Sequence, residues 1–300
     1  EINAFHNVCS HRCLKLVDKK KNMGKIIRCP YHAWSYDLDG KLKATPHIGG
    51  TNNHKPKGFN FSDHGLKPIR IHVWHDWIFI NLNGKAKNFE EYAKPLINKF
   101  HDVDLTKLKY VATLDFGKIK TNWKFLIENF IEPYHVQFVH KTTTNQPLKD
   151  HYTIVDGVCY GSGVNVDKED DKNDNALSVT SKYLSLFPNF IIGTYFPNQI
   201  GVYLNVPLSP NITTQKRIIY TTDNKVMKKK EINSIKKIWW SVHKEDHEMC
   251  ERLQEGRSSP ASNNGGLLSP YWEKGVQKFQ KLIIENAMKY SNSTKGKKNV

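Results

Sequence analysis

The sequence predicts an α+β protein in two parts. An all-β unit spans residues 1–86, and a unit over 87–290 carries an antiparallel sheet covered by helices; a basic tail, 291–300, is expected to be disordered. Three observations predict this. Short strand-like runs separated by turn residues fill the first part, a compositional break follows Asn83-Gly84, and beyond it helical spacing and β-branched runs take turns.

In chain order, residues 25–37 are strand-like on both sides of a Cys/His loop, and Asp39-Gly40 marks a hairpin turn because glycine takes the positive φ such turns demand. Residues 46–66, rich in His, Gly, Pro and Asn, read as a long loop, and Trp77 to Leu82 as a strand. Phe89 to Phe100 has helical spacing through Tyr92, Leu96 and Phe100, and Tyr110 to Lys118 alternates like a strand. Asn122 to Phe130 is a helix, bent or ended by Pro133. Apolar runs within 152–222 predict the sheet, and the charged stretch Asp167 to Asp174 a mobile surface loop. Helical periodicity returns from Lys228 to Gln254, with Gly256 as terminator, and again from about Trp272 to Met288.

A chain of 300 residues, 38% hydrophobic and 11% aromatic, is long and apolar enough for a sizeable core, which excludes a disulfide-stapled peptide and wholesale disorder. Its net charge of +16 invites a nucleic-acid or anionic-membrane reading. The lysines are dispersed, however, so a solvated basic surface is the simpler account, with attraction of an acidic partner protein as the alternative. No run approaches the ~18 apolar residues of a membrane span. Five cysteines, unevenly spaced, do not form a secreted disulfide framework. The chain opens at Glu1 and enters a strand-like segment at once, so the first unit is expected to lack its N-terminal part.

Cys9, His11, Cys29 and His32 form two short Cys/His pairs separated by 17 residues. One zinc could take all four, and with the +16 charge that gives the out-of-class alternative, a zinc-dependent nucleic-acid-binding protein. Zinc fingers usually pair Cys with Cys and His with His. This alternation instead suits a two-iron Rieske centre, with both thiolates on one iron and both imidazoles on the other. CSHRCLKLV followed by CPYHAWSYDLDGKL resembles the Rieske domain of the ring-hydroxylating oxygenase family. By that resemblance Cys9 and Cys29 hold the inner iron, and His11 and His32 the outer, more exposed one. The family commonly has Gly where this chain has Cys13 and Ala33; neither departure removes a ligand, and Cys13 reads as a small packed side chain.

Residues 128–140, ENFIEPYHVQFVH, resemble the same family's iron-binding motif. His135 and His140 are offset by about 140° on an ideal helix, so they share a face only if the helix bends, as Pro133 permits. A facial triad on non-haem Fe(II) needs a carboxylate as well. The resemblance implies that it comes from a late helix. There Asp246 falls on the apolar stripe of Trp239, Val242, Met249, Cys250 and Leu253, where an unpaired charge would be costly. Glu245, nearer the edge, is its rival, and His243 and His247 read as surface or supporting groups. Glu132 resembles the family's bridging acid, which would join His32 of the partner subunit to His135. Asn129 is expected to help shape the iron pocket.

The resemblance implies a terminal oxygenase component, a cytoplasmic homotrimer with no nucleic-acid or membrane partner. It would carry a Rieske 2Fe-2S cluster and a mononuclear Fe(II). Using O2 and electrons passed from NAD(P)H by a reductase or ferredoxin, it would hydroxylate or dihydroxylate a small organic, aromatic substrate. Glu132 stands where most aromatic-ring dioxygenases have Asp. This points alternatively to a monooxygenase or demethylase acting on betaine, choline or carnitine.

Overall fold

The computed structural model describes residues 1–144, 146–165, 181–195, 198–222 and 226–295, without the side chains of 292–295. The chain divides into two compact units between Phe89 and Glu90, close to the compositional break. The stretch Asp167 to Asp174 lies outside the described residues.

The first unit holds a three-stranded antiparallel sheet of β1 (Ile27–Arg28), β2 (Ser35–Tyr36) and β3 (Leu42–Ala44), and an antiparallel hairpin of β4 (Arg70–Trp74) and β5 (Trp77–Asn81). The Asp39-Gly40 turn joins β2 to β3. Gly40 has φ +78°, and Asp37 Oδ1 accepts from the amides of Asp39 (3.1 Å) and Lys41 (2.8 Å), so the side chain satisfies donors that the turn leaves unpaired. Cys9, Leu16, Cys29, Trp34, Tyr36, Leu42 and Leu66 form this unit's core, which therefore encloses both cysteines of the first ligand set.

The second unit is built on a seven-stranded antiparallel sheet in the order β6 (Lys109–Ile119), β12 (Ile212–Thr221), β11 (Gln199–Ser209), β10 (Phe190–Tyr195), β9 (Ser181–Leu186), β8 (Cys159–Val164), β7 (His151–Asp156). Apart from the β12–β6 pairing, neighbours in the sheet are consecutive in sequence, so the meander closes by bringing β12 back to β6. Three helices pack against it: α2 (Trp123–Ile131), α4 (Lys229–Gly256) and α5 (Lys274–Lys295). Residues of α2, the sheet and α5 share a buried cluster that includes Ile127, Ile131, Tyr160, Ile191, Val276 and Phe279. The helix predicted over 89–100 is α1 (Phe89–Ile97) followed by a 3-10 turn at Asn98–Phe100.

Two expectations are corrected. Helix α5 continues to Lys295, into the segment expected to be a disordered tail, because no Gly or Pro interrupts it between Met288 and Lys295 and extending a formed helix costs little. On α4 the inward stripe is Trp239, His243 and Cys250, whereas Leu253 is 42% exposed. The C-terminal half of α4 is used differently, holding the start of α2. Glu251 Oε1 accepts from the Lys120 amide, Gln254 Oε1 accepts from the Asn122 amide, and Cys250 O accepts from Thr121 Oγ1, each at 2.9 Å. Asn122 in turn caps α2 by accepting from the Lys124 amide. These bonds fix the register of α4 against α2, and with it the position of Asp246 relative to the segment that follows α2.

Candidate metal centres

Two loops of the first unit share one backbone pattern. The Cys9 amide donates to Leu14 O and the Cys29 amide to Trp34 O, both at 2.8 Å, while Cys13 and Ala33 donate back to Cys9 O and Cys29 O at 3.0 and 3.1 Å. Cys13 and Ala33 both have φ +57°, the left-handed conformation that glycine adopts without strain, which accounts for the glycine commonly found at these places. Cys9 and Cys29 are buried free thiols, whereas His11 is exposed and His32 half-buried. The two imidazoles meet edge to face with centroids 4.6 Å apart, and Trp34 stacks on His11. Partial desolvation, then the neighbouring His32 and Arg12, lower the His11 pKa, which favours a neutral, ligating ring. Two thiols inside and two imidazoles outside suit a cluster with unlike irons. Tyr36 adds a hydroxyl 3.2 Å from Cys9 Sγ; burial first, and then that thiol, push it up to about 12, so it remains a donor.

The second set is assembled by a broken helix rather than a bent one. Pro133 disfavours helical backbone at the residue before it, and Glu132 accordingly ends α2 with φ −108°, ψ 142°. A one-turn helix, α3 (Val136–Val139), follows, with His135 as its N-cap and His140 as its C-cap. Breaking the helix removes the 140° problem, since the two imidazoles reach inward from opposite ends of one turn. They converge with Asp246 of α4, and one potential ligand atom from each residue lies within 4.8 Å of the others.

Asp246 Oδ1 is 3.1 Å from His140 Nε2 and 3.5 Å from His135 Nε2, yet this buried oxygen has no partner in hydrogen-bond geometry. An orphaned carboxylate oxygen facing two ring nitrogens fits a divalent cation between them. Burial would lower the His135 pKa, but Glu132 and Asp246 outweigh it and raise it to about 10; His140 is raised in the same way, chiefly by Asp246.

A carboxylate lies behind each imidazole. Glu132 Oε1 is 2.6 Å from His135 Nδ1, and its Oε2 accepts from the Tyr134 and His135 amides. Glu245 Oε2 is 2.7 Å from His140 Nδ1 and accepts from Thr143 Oγ1 at 2.7 Å. Glu245 and Asp246, about 100° apart around α4, therefore address opposite sides of the same histidine. Sequence reasoning weighed Glu245 only as a rival ligand and missed Thr143. The three-residue spacing of Glu132 and His135 was the readable signal, whereas the pairing of Glu245 with His140 spans 105 residues.

The ligands open onto a cavity that Asn129, Tyr183, Tyr195, Tyr203, Trp239 and His243 help to line. His243, expected to be bland, is buried, and burial, followed by the nearby Arg217, holds its pKa well below the usual imidazole value. His247 bonds Gln215 Oε1 at 2.7 Å.

Paired thiols and imidazoles on one unit, and two histidines with a carboxylate on the other, describe an iron–sulfur and non-haem iron protein. The chain belongs to the ring-hydroxylating oxygenase α-subunit family: residues 104–287 match the model of its catalytic domain, and residues 1–55 match the Rieske [2Fe-2S] domain. The chloroplastic choline monooxygenase of Atriplex hortensis is 29% identical over 290 residues, covering 93% of this chain and 63% of that protein. The chain thus spans less than two thirds of that relative's length. The glycine betaine monooxygenase oxygenase subunit of Pseudomonas aeruginosa is 35% identical over 141 residues, 47% of this chain and 31% of that one. Among solved structures, the quaternary ammonium Rieske monooxygenase CntA with L-carnitine superposes with a TM-score of 0.74 at 22% identity, covering 94% of this chain and 78% of that chain. Naphthalene 1,2-dioxygenase from Rhodococcus sp. gives 0.67 at 18%, covering 88% and 71%. The family match replaces the zinc-dependent nucleic-acid alternative. No helix among the described residues is long and apolar enough to cross a membrane.

Proposed function

We propose that this chain is the oxygenase component of a system that hydroxylates a small organic substrate with O2, drawing electrons from NAD(P)H through a separate reductase or ferredoxin. The observation that carries this reading is the convergence of His135, His140 and Asp246, with a carboxylate behind each imidazole. Cys9, Cys29, His11 and His32 would hold the cluster, and His135, His140 and Asp246 the single iron. The cluster would supply one-electron storage and the iron oxygen activation. Glu132 and Glu245 hold the Nδ1 protons, so that each Nε2 is free to ligate and each ring is fixed in orientation. Asn129 and the aromatic wall shape the substrate space and limit water.

Glu132 is also our candidate for the link between copies of the chain. Oε2 accepts from two backbone amides and Oε1 from His135 Nδ1, which leaves a lone pair on Oε1 to accept from His32 of the partner subunit in a homotrimer. The solved structure of one relative is described in terms of inter-subunit electron transfer, which supports this reading. A second reading of the substrate, a quaternary amine rather than an aromatic ring, is favoured by Glu132 and by the choline and glycine betaine monooxygenases among the relatives.

The test is reconstitution with iron and sulfide, followed by oxygen uptake with NAD(P)H and a generic reductase. A brown protein with a Rieske EPR signal on reduction and substrate-dependent uptake is expected; a colourless protein binding only zinc would overturn the reading. Glu132→Ala should retain the EPR signal and lose reductase-coupled uptake, and normal coupled uptake would overturn the bridge.

A further inference from the structure

The cavity wall is built around a buried cation. Arg217 on β12 is fully buried, and among the described residues no carboxylate pairs with it. Its Nη1 donates to the Tyr203 hydroxyl and lies 3.5 Å from both Tyr195 Oη and His243 Nε2, while Nε and Nη2 have no hydrogen-bond partner. The guanidinium carbon sits 3.2 Å from the ring centroid of Trp239, 4.6 Å from that of Tyr195 and 5.0 Å from that of Tyr203. Gly201 on the neighbouring strand makes this possible, since a Cβ there would meet Nη2 at 2.7 Å. All three rings line the cavity, and the guanidinium packs against them.

Three rings around a positive charge are what a quaternary ammonium ligand would require. Here the chain's own guanidinium already fills that cage. A buried charge without a counter-ion is costly, so the arrangement calls for an anion on the open side. The hydroxyls supply the contact. Tyr195 Oη and Tyr203 Oη are 3.1 Å apart, and Tyr203 already accepts from Arg217. One of the two hydroxyls can donate to the other, which leaves one O–H without an acceptor among the described residues, on rings that face the cavity. Burial holds the Tyr203 hydroxyl well above its usual pKa, against the opposing pull of Arg217, so it remains a donor.

We propose that Arg217 determines specificity by demanding a carboxylate: the substrate's carboxylate accepts from the Tyr195/Tyr203 hydroxyl pair with the guanidinium behind it, and no substrate ammonium enters the ring cage. This deepens the oxygenase reading and rests on it. It allows a betaine, whose carboxylate meets the tyrosines while its methyl groups face the iron, and it rejects choline.

The test is a calorimetric titration of the anaerobic, iron-loaded protein with four probes of nearly equal shape: glycine betaine, its carbon isostere tert-butylacetate, choline, and choline's carbon isostere tert-butylethanol. The two carboxylates should bind about ten- to a hundredfold more tightly than their alcohol counterparts, whether or not the ammonium is present. Arg217→Gln should abolish that preference, Arg217→Lys should restore part of it, and Tyr203→Phe, which keeps the ring, should weaken it. Choline binding as tightly as betaine, or tert-butylacetate no more tightly than tert-butylethanol, would overturn the proposal; the wild-type titrations decide this even if an Arg217 variant fails to fold. Oxygen uptake is measured separately. A carboxylate preference without uptake would support the anion site and sink the oxygenase reading, whereas uptake without the preference would sink this proposal alone.

Discussion

Replacing Glu245 by Gln should loosen the iron, whereas replacing its neighbour Asp246 by Asn should remove it. Glu245 Oε2 lies 2.7 Å from His140 Nδ1, on the side of the ring away from Asp246, so the substitution leaves all three ligands in place and removes only the charge that assists the Nδ1 hydrogen bond. Losing such an outer partner costs roughly 10- to 100-fold in metal affinity, equivalent to about 1.4 to 2.8 kcal/mol. Gln still offers an oxygen to Nδ1, which places the expected loss near the lower figure; Ala, which also strands the Thr143 hydroxyl, should fall near the upper one. Asp246→Asn removes the anionic ligand itself, so no stoichiometric iron should survive desalting. Competition for Fe(II) against a colorimetric chelator under anaerobic conditions measures both variants. If E245Q strips the iron while D246N keeps it, the two acids have been given each other's roles and the geometric argument fails.

Tyr36→Phe removes a donor 3.2 Å from Cys9 Sγ and should lower the cluster's reduction potential by something on the order of tens of millivolts, because hydrogen bonds to the sulfurs favour the reduced, more negative state. Spectroelectrochemical titration reads this directly, and an unchanged potential would show that the hydroxyl does not serve the cluster. Cys13→Gly and Ala33→Gly each relieve a side chain held at φ +57° and should raise stability by on the order of 1 kcal/mol, a shift of a few degrees in thermal melting. Melting at or below the wild-type temperature would refute strain at these positions.

The sequence made local features legible and left distant ones obscure. The two Cys/His loops, the Asp39-Gly40 turn and the break at Pro133 depend on neighbours within a few residues; backbone preference dictates the turn and the break, and the loops were legible through their resemblance to the family's motif. Asp246 was readable because the resemblance points to an acid on a late helix and there this charge interrupts an apolar stripe. Of the two outcomes open at Pro133, a bend or an end, the structure takes the second: α2 stops and a separate one-turn helix carries His135 and His140 at its ends. Arg217 escaped notice altogether. It sits in an alternating strand among ordinary basic residues, and its burial follows from β12 packing beside β11, where Gly201 and Tyr203 lie, and from Trp239 arriving on α4. Those are pairings of the folded sheet that no local pattern encodes. Glu245 belongs with it, since its partner is 105 residues away.

The most direct test of a chain with two separate iron sites is to count iron and acid-labile sulfide per chain after anaerobic reconstitution, in the wild type and in two variants. With two independent sites, Asp246→Ala loses about one iron while keeping all its sulfide and the reduced-state EPR signal, and Cys29→Ser loses the sulfide and about two irons while keeping the remaining one. Iron and sulfide lost together in both variants, or no sulfide in the wild type, would contradict this.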